Sequence, residues 1–253
     1  MARFPKLMIV RRPNLQNLLL LEEVMSELKS MGTAQTAKTW DNHGAQGERF
    51  GVKIGDMKKI QKKIKQDHEL ALALYDTKNT DAMYFAGLIS EPKKMTKAQL
   101  QHWAESATWN MLSDYTVAWA TSESDYGQEL AMEWINSKDA KLQSTGWNTY
   151  SNLLALKQDE ELDIAEIKKL LAKIEKSIHG EDERVKYNMN GFVIAVGGYV
   201  VPLVAEAKRV GIAIGKVNVD MGKTACKVPD AVAYIEKMET MGKIGKKKKT
   251  VFC

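Results

Sequence analysis

Residues 101–147 read QHWAESATWNMLSDYTVAWATSESDYGQELAMEWINSKDAKLQSTGW and carry five of the six tryptophans of the chain. If residues 109–121 are helical, the spacing of successive turns places on one face Trp109, Leu112, Thr116 and Trp119. Large rings at helical spacing are most simply core residues, and this interpretation is favoured for most of the tryptophans. The alternative is that one or two of them line a groove where flat rings and a carboxylate meet a ligand.

The composition is that of a folded protein, with 44% hydrophobic and 27% charged residues in 253 positions. This length permits one large domain or an extended repeat array. The longest apolar run, residues 192–205, is too short to span a bilayer, and Met1–Val10 lacks the apolar core of a secretory signal. The two cysteines, Cys226 and Cys253, form no disulfide framework, so we expect a cytoplasmic location and no membrane association.

Short helices follow one another along the whole chain, and almost nothing alternates with period two except a doubtful Val217–Val219. We predict helices at Asn14–Met31, Thr33–Asp41, Asp56–Lys65, His68–Tyr75, Asp81–Ser90, Trp109–Thr121, Asp125–Ser137, Ala140–Lys157, Glu160–Ile178, Glu183–Gly197 and Pro202–Ile214, and a further helix that starts at Thr96 with Gln99 in a capping box. Helix pairs recur about every 40 residues, as in helical-hairpin solenoids. The sequence therefore predicts an all-α superhelix in residues 1–214, followed by a C-terminal extension with a basic tail in residues 215–253.

Two motifs that suggest chemistry are incomplete. His68–Glu69 begins like a zinc-protease motif, but Leu72 stands where the second histidine belongs. Lys216–Thr224, KVNVDMGKT, ends like a phosphate-binding loop, but Val217 stands where that motif requires its first glycine. The four histidines are scattered, so no metal site is predicted.

A basic helix face is the clearest charge feature, formed by Lys58, Lys59, Lys62, Lys63 and Lys65. On its own, such a face is usually only a solvated surface. Several basic groups at the helix ends of one solenoid could instead follow a phosphate backbone without reading its sequence. Lysines outnumber arginines 31 to 6, which favours backbone attraction over bidentate recognition of bases.

From Phe50 onward the sequence resembles the AlkD-like DNA alkylation repair family of HEAT-like repeat DNA glycosylases. The matching stretches are FGVKIGDMKKIQKKI at residues 50–64, HELALALYDTKNTDAMYFAGLIS at residues 68–90 and HWAESATWNML at residues 102–112. The resemblance implies a HEAT-like solenoid whose basic concave face holds duplex DNA. It also implies, in active members, a catalytic aspartate one turn after a tryptophan, a later arginine and a second tryptophan.

Residue by residue, the chain departs from that pattern. Trp109 matches the first tryptophan, but Ser113 stands in the place of the aspartate, Ser144 in that of the arginine and Phe192 in that of the second tryptophan. Serine cannot supply the negative charge that stabilises a sugar cation. Asp114 is adjacent, yet one residue turns a side chain by about 100° around a helix. Excision would therefore require a local helix distortion that brings Asp114 to the sugar.

We expect a monomeric protein without a cofactor, and the resemblance implies that it binds duplex and preferentially alkylated DNA. Trp109 and Asp114 are the candidate catalytic pair, and whether the protein excises alkylated purines stays open. The candidate DNA contacts are the five lysines of the basic face together with Ser113, Ser144, Trp147, Arg184, Lys186 and Phe192. The alternative is a helical-repeat scaffold without chemistry that binds nucleic acid, RNA included, or an acidic protein.

Overall fold

The computed structural model describes residues 15–252, and within this range the chain is helical without strands. Its helices are α1 (Leu15–Met31), α2 (Ala34–Asn42), α3 (Ile54–Ile64), α4 (His68–Asp76), α5 (Thr80–Ile89), α6 (Lys97–Ser106), α7 (Ala118–Glu123), α8 (Gly127–Ile135), α9 (Ala140–Leu156), α10 (Ile164–Ser177), α11 (Glu183–Tyr199), α12 (Val204–Ile214) and α13 (Ala231–Thr240). The all-α prediction is confirmed. The predicted helix start at Asn14, the segment Met1–Val10 and Cys253 lie outside the described residues.

Polar side chains at the helix starts explain why the helices begin where they do. The carboxylates of Asp67, Asp139 and Asp163 each accept a hydrogen bond from a backbone N–H of the first turn that follows. Such caps satisfy N–H groups that have no partner within the helix. The capping box predicted for Thr96 and Gln99 is present at the start of α6.

The helices bury two contiguous hydrophobic clusters, one built from α1 to α8 and one from α8 to α13. Helix α9 lies between α8 and α11 and packs closely on both. Gly146 of α9 lies at the contact with α8. A Cβ atom at this position would lie 2.6 Å from the backbone nitrogen of Ile135. Only glycine permits this approach, which sets the distance between the two halves of the molecule.

A buried carboxylate holds the loop between α2 and α3 in place. Asp81, in the first turn of α5, accepts backbone hydrogen bonds from Phe50 at 2.6 Å, Gly51 at 3.2 Å and Val52 at 2.6 Å. Burial raises the pKa of Asp81, and the three backbone donors act in the opposite direction. The loop is thereby fixed at the start of α5, where it helps to form the cavity described below.

The C-terminal extension packs onto the solenoid. Helix α13 was not predicted, because its ten residues follow a glycine- and lysine-rich stretch without a strong apolar pattern. Asp230 caps its first turn, and the fully buried Ile235 packs over Gly197 of α11. Tertiary contact with α11 therefore stabilises a helix that local sequence alone does not indicate. The doubtful strand at Val217–Val219 is absent from the described range.

None of the helices in the described range is, by itself, long and apolar enough to cross a membrane. Helices α11 and α12 with their junction pass that test only as a pair, and the pair is bent by 118°.

Candidate functional site

The helix that begins after Trp109 is distorted. Residues Leu112–Val117 form a π-helix, which continues directly into α7. A π-helix has a wider turn than an α-helix and often marks a functional site. Within this segment, Ser113 and Asp114 both line the same cavity as Trp109. The structure thus contains the local helix distortion that Asp114 requires to reach this surface.

The cavity has a volume of about 490 Å³, within the range of small-molecule and nucleotide sites. Its walls come from the loop between α2 and α3, the residues on either side of Trp109, the π-helix, and the first turns of α9 and α11. The cavity therefore lies where several helices begin. Its charged lining residues are Asp114, Lys141, Asp182 and Arg184.

Asp114 is the most constrained of these groups, with a residue exposure of only 1%. Its Oδ2 accepts hydrogen bonds from Arg184 Nη2 at 2.7 Å and Nε at 3.2 Å. Its Oδ1 accepts hydrogen bonds from the hydroxyls of Ser144 at 3.0 Å and Ser113 at 3.1 Å. Both carboxylate oxygens are thus occupied, and an arginine neutralises their charge.

Arg184 is the more accessible partner, with 26% of its side chain exposed. Its guanidinium carbon lies 4.7 Å from the centre of the Tyr187 ring, a cation–π contact. Burial raises the pKa of the nearby Tyr115 phenol, Tyr187 adds to that effect, and Arg184 opposes it. Held by a carboxylate and a ring, the guanidinium keeps one orientation at the cavity wall.

Trp109 is fixed at its indole nitrogen. Its Nε1 donates a hydrogen bond to the backbone oxygen of His43 at 2.9 Å, and its ring centre lies 5.0 Å from that of Trp40. The other four tryptophans of residues 101–147 are also buried, so the core interpretation holds for all five. Trp109 alone among them also lines the cavity.

Three residues that the sequence did not single out complete the site. Lys141 lines the cavity and donates hydrogen bonds to the backbone oxygens of Glu105 at 2.6 Å and Ala107 at 3.1 Å. Asn188 donates to Ser144 Oγ at 2.7 Å, and the amide of Asn148 donates to the backbone oxygen of Asp114. Asn188 follows Arg184 by four residues on one helix face, a spacing that could have indicated it.

The structure brings together five of the predicted site residues, which are Trp109, Ser113, Asp114, Ser144 and Arg184. The association of Arg184 with Asp114 was not predicted, since 70 positions separate them. Ser144 supports this pair by donating a hydrogen bond to Asp114.

The prediction that Trp147 and Phe192 contact DNA is wrong for this structure. Neither exposes any of its surface, and their rings pack edge to face with centres 5.2 Å apart in the second hydrophobic cluster. Both residues therefore serve the core between α9 and α11. Lys186, also predicted as a contact, lies apart from the cavity and forms a close ion pair with Glu183, with 13% of its side chain exposed.

The basic face of α3 is also separate from the cavity. Lys59 pairs with Asp56 at 2.6 Å and Lys63 with Glu27 at 2.7 Å, so both meet acids on the protein itself. Lys62 and Lys65 line a different groove, which lies at the end of α5. The α3 lysines and Trp109 therefore belong to two separate sites.

Comparisons with known proteins place this arrangement in a family. Residues 24–208 match the model of the DNA alkylation repair enzyme family. The chain belongs to that family.

Similar proteins cover almost the whole chain. Two relatives, the uncharacterized proteins Lin0241 of Listeria innocua and Lmo0209 of Listeria monocytogenes, are each 35% identical over 222 residues, covering 85% of this chain and 96% of theirs. A solved structure described as "a new family of proteins related to the HEAT-like repeat DNA glycosylases with affinity for branched DNA structures" aligns with a TM-score of 0.85 and 39% identity. It covers 92% of this chain and 99% of its own, so the HEAT-like fold is confirmed.

Proposed function

We propose that this protein binds branched DNA at the Asp114 cavity and does not cleave the N-glycosidic bond. The observation that carries the proposal is the pairing of Asp114 with Arg184. A carboxylate that stabilises a sugar cation must present free negative charge to it. Here the charge of Arg184 neutralises that of Asp114. The hydroxyls of Ser113 and Ser144 donate hydrogen bonds to the other carboxylate oxygen of Asp114.

In this proposal Asp114 positions Arg184, and Arg184 contacts the DNA. A guanidinium held by a carboxylate on one edge still has N–H groups for a phosphate or a base. A branch point exposes parts of the bases and of the backbone that are covered in a continuous duplex. The affinity for branched DNA attributed to the similar solved structure supports this choice of ligand.

Excision of alkylated purines is the second candidate, because the π-helix turns Asp114 toward the cavity. That chemistry requires Arg184 to leave Asp114 when DNA binds. An alkylated purine is already a cationic leaving group, so a freed carboxylate could act without a strong general acid. This candidate also requires that duplex DNA carrying the lesion binds.

Two assays separate the candidates. We expect fluorescence anisotropy to show tighter binding of a four-way DNA junction than of a duplex of the same length. We expect wild-type protein to release no free base from methylated duplex DNA. Base release that disappears in Asp114→Asn would contradict the binding proposal and establish excision. Equal affinity for the junction and the duplex would contradict the choice of branched DNA.

A further inference from the structure

The C-terminal tail is an ordered strap across the ends of the helices. Gly245 donates a backbone hydrogen bond to Gly198 of α11 at 2.9 Å, and Lys248 donates one to Ala155 of α9 at 2.7 Å. Thr250 Oγ1 and the Val251 N–H then donate to Glu123 of α7 at 2.6 and 2.8 Å. The strap thus crosses three helices in the order α11, α9, α7.

Two further contacts fix the path of the strap. Gly245 has a φ of +73°, and a Cβ there would lie 2.6 Å from Val201 Cγ2, so only glycine allows the chain to turn onto the helix ends. Phe252 packs against Trp119 with ring centres 6.1 Å apart.

The lysines of the strap divide into one that points inward and three that point outward. Lys247 is 9% exposed, pairs with Asp159 at 2.9 Å and donates to the backbone oxygen of Leu154 at 3.0 Å. Lys246, Lys248 and Lys249 are exposed. The two acids that touch the strap are already used: Glu123 accepts hydrogen bonds from the strap itself, and Asp159 forms an ion pair with Lys247 and accepts a hydrogen bond from the Val201 N–H. Lys248 Nζ also lies 5.9 Å from the centre of the Tyr199 ring, which is a neutral partner, so the outward charges are left without an acid and can meet a partner's phosphates.

The positive surface continues from the strap onto α3. The groove that receives Thr250 and Phe252 is also lined by Lys62 and Lys65. Lys62 and Lys65 are exposed. Unlike a solvated charge run on a mobile tail, these cations lie on a backbone held by hydrogen bonds, so binding loses less conformational entropy.

This surface lies at the opposite end of the helices from the Asp114 cavity. Arg184 of α11 lines the cavity, whereas Gly198 of the same helix contacts the strap. Arg184 and Gly198 are 14 residues apart on α11, and at a rise of 1.5 Å per residue they are separated by about 21 Å along the helix axis. On DNA this distance corresponds to about six nucleotides along one strand.

We propose that the strap and the end of α3 form a second DNA-binding surface, which contacts the phosphates of one arm about six base pairs from the nucleotides at the cavity. The contact is electrostatic and independent of sequence, because compact ammonium groups attract phosphates without reading bases. The inference rests on the proposed DNA binding. It adds the path of one DNA arm and the cations that this arm contacts.

The test uses the full chain with Lys246, Lys248 and Lys249 all replaced by glutamine. A matched control replaces Lys168, Lys169 and Lys176, three exposed lysines of α10, and so removes the same charge elsewhere. Binding to a four-way junction is measured across a salt series. The strap variant lacks three cations that would each neutralise a phosphate. We therefore expect the slope of log binding constant against log salt concentration to be less steep by about 2.7 in the variant. The control should keep the wild-type slope.

The length of the DNA arms provides a second measurement. Wild-type protein should bind a junction with arms of about twelve base pairs more tightly than one with arms of about four, which end before the strap. The strap variant should lose most of this difference. A strap variant with wild-type slope and wild-type arm-length dependence would overturn the second surface and leave the proposed function intact. If wild-type protein binds no DNA, the proposed function itself fails.

Discussion

The ion pair between Asp114 and Arg184 is asymmetric in burial, and this asymmetry predicts an unusual pattern of stability. Asp114 is 1% exposed and Arg184 is 26% exposed. Arg184→Gln leaves a buried carboxylate without its cation, for which we expect a loss of about 4 kcal/mol in the free energy of unfolding. For a chain of this size the loss corresponds to about 8 to 16 °C in the unfolding midpoint.

Asp114→Asn should lower the free energy of unfolding by less, about 2 kcal/mol. The freed guanidinium can turn to water, and the amide oxygen can still accept hydrogen bonds from Ser113 and Ser144. The double variant Asp114→Asn with Arg184→Gln should be about as stable as Asp114→Asn alone. Adding Asp114→Asn to the Arg184→Gln variant would thus restore about 2 kcal/mol of stability.

Urea unfolding followed by tryptophan fluorescence measures all four proteins, with circular dichroism as a probe that does not depend on Trp109. Two results would refute the reasoning. One is an Arg184→Gln variant more stable than Asp114→Asn, and the other is a double variant that has lost the sum of both single losses. The stable double variant then serves as the Arg184-deficient protein in DNA-binding assays, where we expect weaker junction binding.

Two further predictions concern packing and pH. Gly146→Ala should destabilise the protein by about 3 kcal/mol, because the new Cβ atom would collide with the backbone of α8. As a control, Gly191→Ala places a Cβ atom that has no neighbour within 4 Å, and it should be neutral or stabilising. Urea unfolding measures both variants. The pKa of Glu183 is held below its ordinary value, first by Lys186 and then by the Asp220 N–H. This stabilisation is therefore present above about pH 4.3 and lost as the pH falls further. The protection factor of the Asp220 amide against hydrogen exchange should fall there, and Glu183→Gln should remove that pH dependence.

Much of the fold could be predicted because local signals and packing agree. The capping box at Thr96 and the apolar stripe of α10 indicate helices that tertiary contacts then reinforce. Helix α13 was missed because its stability comes from Ile235 packing on Gly197, a contact across 38 positions that no local pattern encodes. The same limit applies to Trp147 and Phe192, whose aromatic character fits a DNA-binding surface as well as a core.

Five residues of the site were indicated in advance, whereas Lys141, Asn148 and Asn188 and the geometry of the site were not. Trp109, Ser113, Asp114, Ser144 and Arg184 were all indicated by the sequence or by the resemblance. Sequence spacing assumed a regular helix, on which Ser113 and Asp114 point in different directions. The structure has a π-helix there instead, and both side chains line the cavity, an arrangement that depends on the surrounding packing. The pairing of Asp114 with Arg184 likewise follows from the stacking of helices.

The strap has a consequence for how the protein is made. Thr250 and Phe252 line one groove with Lys62 and Lys65, which the ribosome synthesises nearly two hundred residues earlier. The helices that the strap crosses can assemble while the strap is still inside the ribosome. The ends of α7, α9 and α11 stay uncovered until the strap emerges, and the strap docks after those helices have formed.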